Sequence, residues 1–258
     1  YIKMVEYLKL VKSYRDETNY TAWSDISANL GYLKSLFYDR EFSKDLNKFV
    51  RGLLSKIFEK VGWDERKGEE HTNIFLRMVV LTTLGLSDNK DILDEAKKRF
   101  ENYLRTKELN PNIRGVVYSL NAWNNGKERF EQIRQLYREA KLQEEKMRLL
   151  GAICFFRQEE LISETLRFIL SEEVRSQDVL IAMIRISGNS YARELTWNFL
   201  KDNWDEFYKR YGHGGHTMPK VIKAATSRFS DLDKYNEVKK FFEENPVDYA
   251  KMAVKQSL

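Results

Sequence analysis

The chain has 258 residues, of which 42% are hydrophobic and 32% charged, so it can bury a core and is not a disordered tail. Its 44 basic and 39 acidic residues are interspersed, and this mixed surface with a net charge of +5 predicts no nucleic-acid partner. No apolar run reaches the roughly 18 residues that cross a membrane, so no membrane partner is predicted either.

Apolar residues recur at helical spacing through most of the chain. Residues 20–37, 41–61 and 92–104 each place their apolar side chains on one face, which predicts three amphipathic helices. Residues 147–156 are almost wholly apolar and predict a deeply buried helix. Cys154, the only cysteine, lies in that run and is interpreted as a small buried side chain; one unpaired cysteine fits a cytoplasmic location.

A further helix is predicted over residues 191–208. Its apolar residues are spaced by three, four and four positions, which favours one buried face rather than an aromatic ligand cage: Trp197, Leu200, Trp204 and Tyr208.

Helix-breaking residues are scarce, with 12 glycines and three prolines. Each proline follows a residue that caps helices, as in Asn110-Pro111, Thr217-Met218-Pro219 and Asn245-Pro246, so each is predicted to lie in the first turn of a helix. The links are short and force neighbouring helices to be antiparallel. The sequence therefore predicts an all-α fold in one helical domain over residues 1–258, namely an α-solenoid, a HEAT- or armadillo-like superhelix of antiparallel helix pairs.

The segment Gly212-His213-Gly214-Gly215-His216 holds two of the three histidines. Zinc needs three or four ligands, and two histidines without a nearby cysteine are too few, which disfavours a metal site. A helix stop with left-handed glycines is favoured. A loop that faces a cavity or a substrate remains the third interpretation.

Motifs of catalysis are missing from the sequence. It has no H-E-x-x-H zinc segment, no glycine-rich phosphate loop and no G-x-S-x-G nucleophile elbow. The sequence therefore predicts no catalytic residue and no metal ligand in this chain.

Several segments nevertheless resemble a known family, in order and over nearly the whole chain. They are Asp16-Glu17-Thr18-Asn19-Tyr20 with Trp23, Gly62-Trp63-Asp64 with Gly68-Glu69, His71 and Leu76-Arg77, then LSEEVRSQD at 170–178, WNFLKDNWDEFYKRY at 197–211, the stretch 221–229 that ends in SRF, and 238–242. Together they resemble the C-terminal helical domain of the zinc aminopeptidases related to aminopeptidase N, puromycin-sensitive aminopeptidase and the tricorn-interacting aminopeptidases.

The resemblance implies a parent enzyme that releases N-terminal amino acids from peptides, using a zinc-bound water in a preceding domain. It implies that this chain is a fragment truncated at both ends, binds no zinc itself, is inactive alone, and forms a wall of the peptide-binding chamber. The implied partners are the missing N-terminal catalytic domain and peptide substrates. The alternative is a free-standing α-solenoid scaffold that binds protein partners.

The resemblance also places the loop 212–216 before a helix that lines the chamber. His216 is then the first candidate for contact with substrate and His213 the second. Lys220 and Arg228, expected on the next helix, would offer positive charge to a peptide carboxylate. The competing interpretation is that all four are ordinary solvated side chains.

Overall fold

Every regular element is a helix in the computed structural model, which describes residues 3–229, 231–247 and 252. The prediction of an all-α protein is therefore confirmed for these residues. None of the described helices is long and apolar enough to cross a membrane. The contacts divide the chain into two compact units, Tyr1–Asn124 and Asn125–Leu258. The single domain over residues 1–258 stays a prediction.

Six helices build the first unit, in which consecutive helices pack in pairs. Helix α3 packs on α4 and α5 packs on α6, while α4 also contacts α2 and α6. A short 3-10 turn, Tyr14–Asp16, follows the first helix. The helices are α1 Met4–Ser13, α2 Tyr20–Leu36, α3 Ser43–Val61, α4 Thr72–Gly85, α5 Lys90–Thr106 and α6 Arg114–Asn124.

Eight helices lie in the described part of the second unit, and α10 contacts four of them, α8, α9, α11 and α13. A second 3-10 turn, Ser190–Ala192, precedes α11. The helices are α7 Lys127–Glu139, α8 Gln143–Ile153, α9 Glu159–Leu170, α10 Ser176–Ser187, α11 Arg193–Asp202, α12 Trp204–Tyr211, α13 Thr217–Thr226 and α14 Leu232–Glu244. Stacked pairs of this kind are compatible with a solenoid, which stays a prediction.

The single helix predicted over residues 191–208 is wrong. The chain leaves helical geometry at Asn203 (φ −116°, ψ 23°), between α11 and α12. The Asn203 side chain donates a 2.9 Å hydrogen bond to the carbonyl of Phe199, and such local bonding lets Asn compete with the helix. The expected stripe is still mostly core, because Trp197, Leu200 and Trp204 are buried, whereas Tyr208 is exposed.

The prediction that each proline lies in the first turn of a helix has a different outcome for each of the three. Pro219 does lie in the first turn of α13, although His216 and not Thr217 is the N-cap. Pro111 lies in a turn three residues before α6, where the Asn110 side chain accepts from the Asn112 backbone. Asn245 ends α14. The helix expected after Pro246 falls on residues 248–251, which lie outside the described residues.

The predicted buried helix over residues 147–156 begins earlier and ends at Ile153. Cys154 follows it and is 1% exposed, with its thiol 3.3 Å from the carbonyl of Leu150. Burial raises the pKa of this thiol to about 12, since a thiolate is poorly solvated there. The interpretation of Cys154 as a small buried side chain is confirmed.

Glu237 ties α14 to α11. Its carboxylate accepts from the indole of Trp197 (2.8 Å) and from Lys201 (2.5 Å), and Lys234 adds a third contact at 2.8 Å. Burial alone would raise the pKa of Glu237, but these three donors overcome it and lower the pKa to about 2.

We therefore expect the benefit of Glu237 to depend on pH. Because the folded-state pKa is depressed, the stabilisation is present at neutral pH and is lost as pH falls from about 4 towards 2. The Glu237 side chain is 35% exposed, so solvent screening limits the benefit to about 1 kcal/mol, or about 2 °C in Tm. Thermal unfolding should show Glu237→Gln below the wild type at pH 7, with a clearly smaller gap at pH 3. An equal gap at both pH values would contradict this.

Candidate functional site

The loop 212–216 joins α12 to α13 within the second unit. Gly214 (φ 109°) and Gly215 (φ 89°) have positive φ, a region that side-chain-bearing residues rarely adopt, whereas Gly212 does not. Gly212 is required for another reason: a Cβ there would collide with the carbonyl of Tyr208. The loop is thus a glycine-dependent stop of α12, as the favoured interpretation expected.

His213 and His216 are both exposed on this loop. The His213 ring lies edge-on to Tyr208, with the ring centroids 6.0 Å apart. His216 is the N-cap of α13 through its backbone, without a capping bond from its side chain. Lys220 is exposed one turn further on, four residues after His216, so these two side chains share one face at the start of α13.

Arg228 does not join this group. The sequence placed it on the same helix as Lys220, but α13 ends at Thr226 and Arg228 lies beyond that end. A helix of this length spans about 15 Å, which separates Arg228 from the loop. The Arg228 carbonyl accepts a 3.2 Å hydrogen bond from Arg193, so its backbone fastens the far end of α13. The structure therefore brings together His216 and Lys220 beside His213, and leaves Arg228 out.

The sequence around the loop carries basic residues and no acidic ones. From Phe207 to Ser230 the sequence contains no Asp or Glu, in a chain whose charges otherwise alternate. The first turn of α13 likewise carries no acid, so its N-terminal dipole adds to the positive charge. This stretch of the chain therefore carries net positive charge.

Metal ligands do not converge at this loop. Among the residues that the structure describes, no group of three or more His, Cys, Asp or Glu side chains is placed to hold a metal ion. The two loop histidines therefore lack the further ligands that zinc requires.

The residues that carry the family resemblance form structural contacts instead. Arg77 is 1% exposed and donates to the carbonyl of Val61 (3.1 and 3.0 Å) and to the carboxylate of Glu69 (2.7 Å). These bonds fasten the loop between α3 and α4, which has positive φ at Gly62 and Gly68. Gly62, Gly68 and Glu69 of the resembling segments therefore help to hold the conformation of this loop.

Two other resembling segments have similar roles. In LSEEVRSQD, the carboxylate of Glu173 accepts two hydrogen bonds from Arg138, of 2.7 and 3.0 Å. They join the segment between α9 and α10 to the last turn of α7. Near the first helices, the indole of Trp23 donates to the carbonyl of Glu17 at 2.8 Å. Their acids and aromatic rings are therefore committed to holding helices together.

A family model described as "ERAP1-like C-terminal domain" matches residues 1–258. The chain is similar to aminopeptidase M1 of Arabidopsis thaliana (30% identity over 97% of this chain and 29% of that protein). It is also similar to "Aminopeptidase 2, mitochondrial" of Saccharomyces cerevisiae (27%, over 94% of this chain and 26% of that protein) and to glutamyl aminopeptidase of Bos taurus (27%, over 93% and 25%). The chain thus spans less than a third of the length of these relatives.

Proposed function

The chain belongs to the ERAP1-like C-terminal domain family, and from this premise we propose that it is the C-terminal helical domain of a zinc aminopeptidase that releases N-terminal residues from peptides. The observation that carries the proposal is the match itself, since all but a few residues of the chain align with about a quarter to a third of several aminopeptidases. The remaining length of such an enzyme would hold the catalytic domain, the proposed partner of this chain.

The proposed contribution of this chain is a wall of the peptide-binding chamber, built as a HEAT-like solenoid. Three features support it: the exposed glycine-dependent loop 212–216, the exposed His213, His216 and Lys220, and the lack of Asp and Glu in the chain from Phe207 to Ser230. Arg228, at the far end of α13, would contribute to the same wall only at a separate point.

Zinc belongs to the proposed parent enzyme and does not fit the described part of this chain, where no ligand group exists. When bound in the catalytic domain, zinc would supply an activated water for attack on the scissile carbonyl. The residues of this chain would act earlier, by receiving the part of the peptide that lies away from its N-terminus.

We expect the 258-residue chain alone to leave an aminoacyl chromogenic substrate intact, with or without added zinc. The reason is that, among the residues that the structure describes, no group of His, Cys, Asp or Glu side chains is placed to hold zinc. The measurement is the rate of release of the chromophore at a protein concentration high enough to detect one turnover per hour. Zinc-dependent release that chelator abolishes would contradict the proposal that the chemistry resides elsewhere.

The reading frame around residue 1 separates this proposal from the scaffold alternative. An upstream H-E-x-x-H segment in the same frame supports an aminopeptidase, whereas a start codon near Tyr1 would overturn it and favour the scaffold. We propose a cytoplasmic location for the parent enzyme. A relative from Saccharomyces cerevisiae is named mitochondrial, so fractionation of cells that express the full frame is the test.

A further inference from the structure

Helices α10 and α13 present their exposed sides on one surface of the second unit. The two helices pack against each other, and both also pack against α11. Their exposed arcs therefore point away from α11 and lie on the same side.

The two helices run parallel, as their ends show. At the start, the hydroxyl of Tyr211, just before the loop into α13, donates a 2.9 Å hydrogen bond to the carbonyl of Ser176, the first residue of α10. At the other end, Arg193 donates to the carbonyl of Arg228 just beyond α13. Arg193 begins α11 shortly after α10 ends at Ser187, so the two contacts place α10 and α13 side by side and in the same direction.

The exposed side of α10 carries two isoleucines, Ile181 and Ile184, followed by the basic Arg185; these residues are called the α10 stripe. Ile181 and Ile184 are 45% and 47% exposed, and Arg185 beside them is exposed next to Gly151 of α8. Ile181 and Ile184, one turn apart and each about half exposed, form a small apolar patch on the surface. The acid of this helix, Asp178, is 4% exposed and bonded to Arg175, so it adds no free charge to the stripe.

The exposed stripe of α13 is basic. His216, Lys220 and Lys223 are spaced by four and three residues and are all exposed, so they line one side of the helix. The chain from Phe207 to Ser230 contains no Asp or Glu.

We infer that the α10–α13 face, defined as Ile181, Ile184, Arg185, His216, Lys220 and Lys223, binds the acidic and apolar side chains of an extended peptide. The inference deepens the proposed function and rests on it for the identity of the occupant as a peptide. Charge complementarity requires carboxylates opposite the α13 stripe, and the isoleucines require an apolar side chain opposite α10.

The spacing defines the peptide further. Packed helices lie about 8–10 Å apart, and an extended chain advances about 3.3 Å per residue. A carboxylate and an apolar side chain about three residues apart in the peptide would therefore reach the two stripes together. Nucleic acid fits this face less well, since neither stripe carries Trp, Tyr or Phe for stacking. A bilayer fits it less well too, because two isoleucines form a narrow apolar contact compared with a membrane-binding face.

The test is fluorescence anisotropy of the 258-residue chain with labelled nine-residue peptides. One peptide carries Glu and Leu three residues apart, a second has Lys in place of each Glu, and a third has Ser in place of each Leu. We expect the acidic, apolar peptide to bind about tenfold more tightly than either of the other two.

Charge reversal by Lys220→Glu with Lys223→Glu is expected to abolish the preference for the acidic peptide. The matched control is Lys239→Glu with Lys240→Glu, since both lysines lie on α14 and make only marginal pairs with Glu243 and Glu244, near 4 Å. The control variant should keep the preference. In the variant Ile181→Ser with Ile184→Ser, the peptide with Leu should bind no more tightly than the peptide with Ser. The same variant should still bind the peptide with Glu more tightly than the peptide with Lys. Circular dichroism confirms that each variant is folded.

The outcomes separate the inference from the proposed function. Equal binding of acidic and basic peptides would overturn the inference, while the proposed function as a wall of the peptide-binding chamber would remain. Failure of every peptide to bind would overturn both. Binding of single-stranded DNA, or of anionic phosphatidylserine vesicles, as tight as that of the acidic peptide would also overturn the assignment to peptide.

Discussion

Arg77→Met is expected to lower the free energy of unfolding by about 3–5 kcal/mol. The Arg77 side chain is 1% exposed, and its loss leaves the Glu69 carboxylate, 14% exposed, and the Val61 carbonyl without their donor. The guanidinium also holds the pKa of Glu69 below its usual range through a direct hydrogen bond. Methionine replaces the volume of the side chain but supplies no charge or donor, so the cost is electrostatic.

Chemical denaturation followed by circular dichroism measures this loss. Arg40→Met is the matched control: Arg40 is 63% exposed and lies 3.8 Å from Asp39, and pairs of this kind contribute little. The control should change stability by less than about 0.5 kcal/mol. If the two variants were equally stable, Arg77 would not be the fastener of the α3–α4 loop.

Trp197→Ala is the second large effect, with an expected loss of about 3–5 kcal/mol. The Trp197 indole is fully buried, and its ring packs edge-on against Phe241 with centroids 5.3 Å apart. Removing the indole leaves a cavity between α11 and α14. It also removes one of the hydrogen-bond donors to the Glu237 carboxylate.

Trp197→Phe separates these two contributions, because it keeps much of the ring volume but loses the indole N–H. We expect this variant to lose about 1–2 kcal/mol, well short of the alanine variant. Thermal and denaturant unfolding of both variants give the comparison. Similar losses for Phe and Ala would mean that the hydrogen bond, rather than packing, dominates at this position.

Much of the fold was predictable because helical periodicity records which side of each helix is buried. Leu46, Val50 and Leu54 of α3 are spaced by four residues and all three are buried. The break at Asn203 was not predictable from periodicity, since the apolar spacing continues across it. The local signal at the break is the Asn203 side chain, which also bonds to the Phe199 carbonyl.

The candidate site was predictable only in part. Glycine content identified the loop 212–216, and the two exposed histidines lie where that loop was expected. Arg228 was placed wrongly because the sequence does not show that α13 ends at Thr226. The stripe of Ile181 and Ile184 was missed because α10 is apolar at most positions, so its exposed side is known only once its packing partners are known.

The resemblance had a physical basis that differs from a shared active site. Residues that carry it, such as Arg77 with Glu69 and Trp197, make structural contacts.

The most direct test of a peptide-receiving wall is the nuclear magnetic resonance spectrum of isoleucine methyl groups during titration with the acidic, apolar peptide. We predict that the methyl resonances of Ile181 and Ile184 shift, while those of Ile57 and Ile133, buried in α3 and α7, stay in place. The basic peptide should leave all four unchanged. Shifts at other isoleucines with none at Ile181 and Ile184 would contradict the assignment of this face.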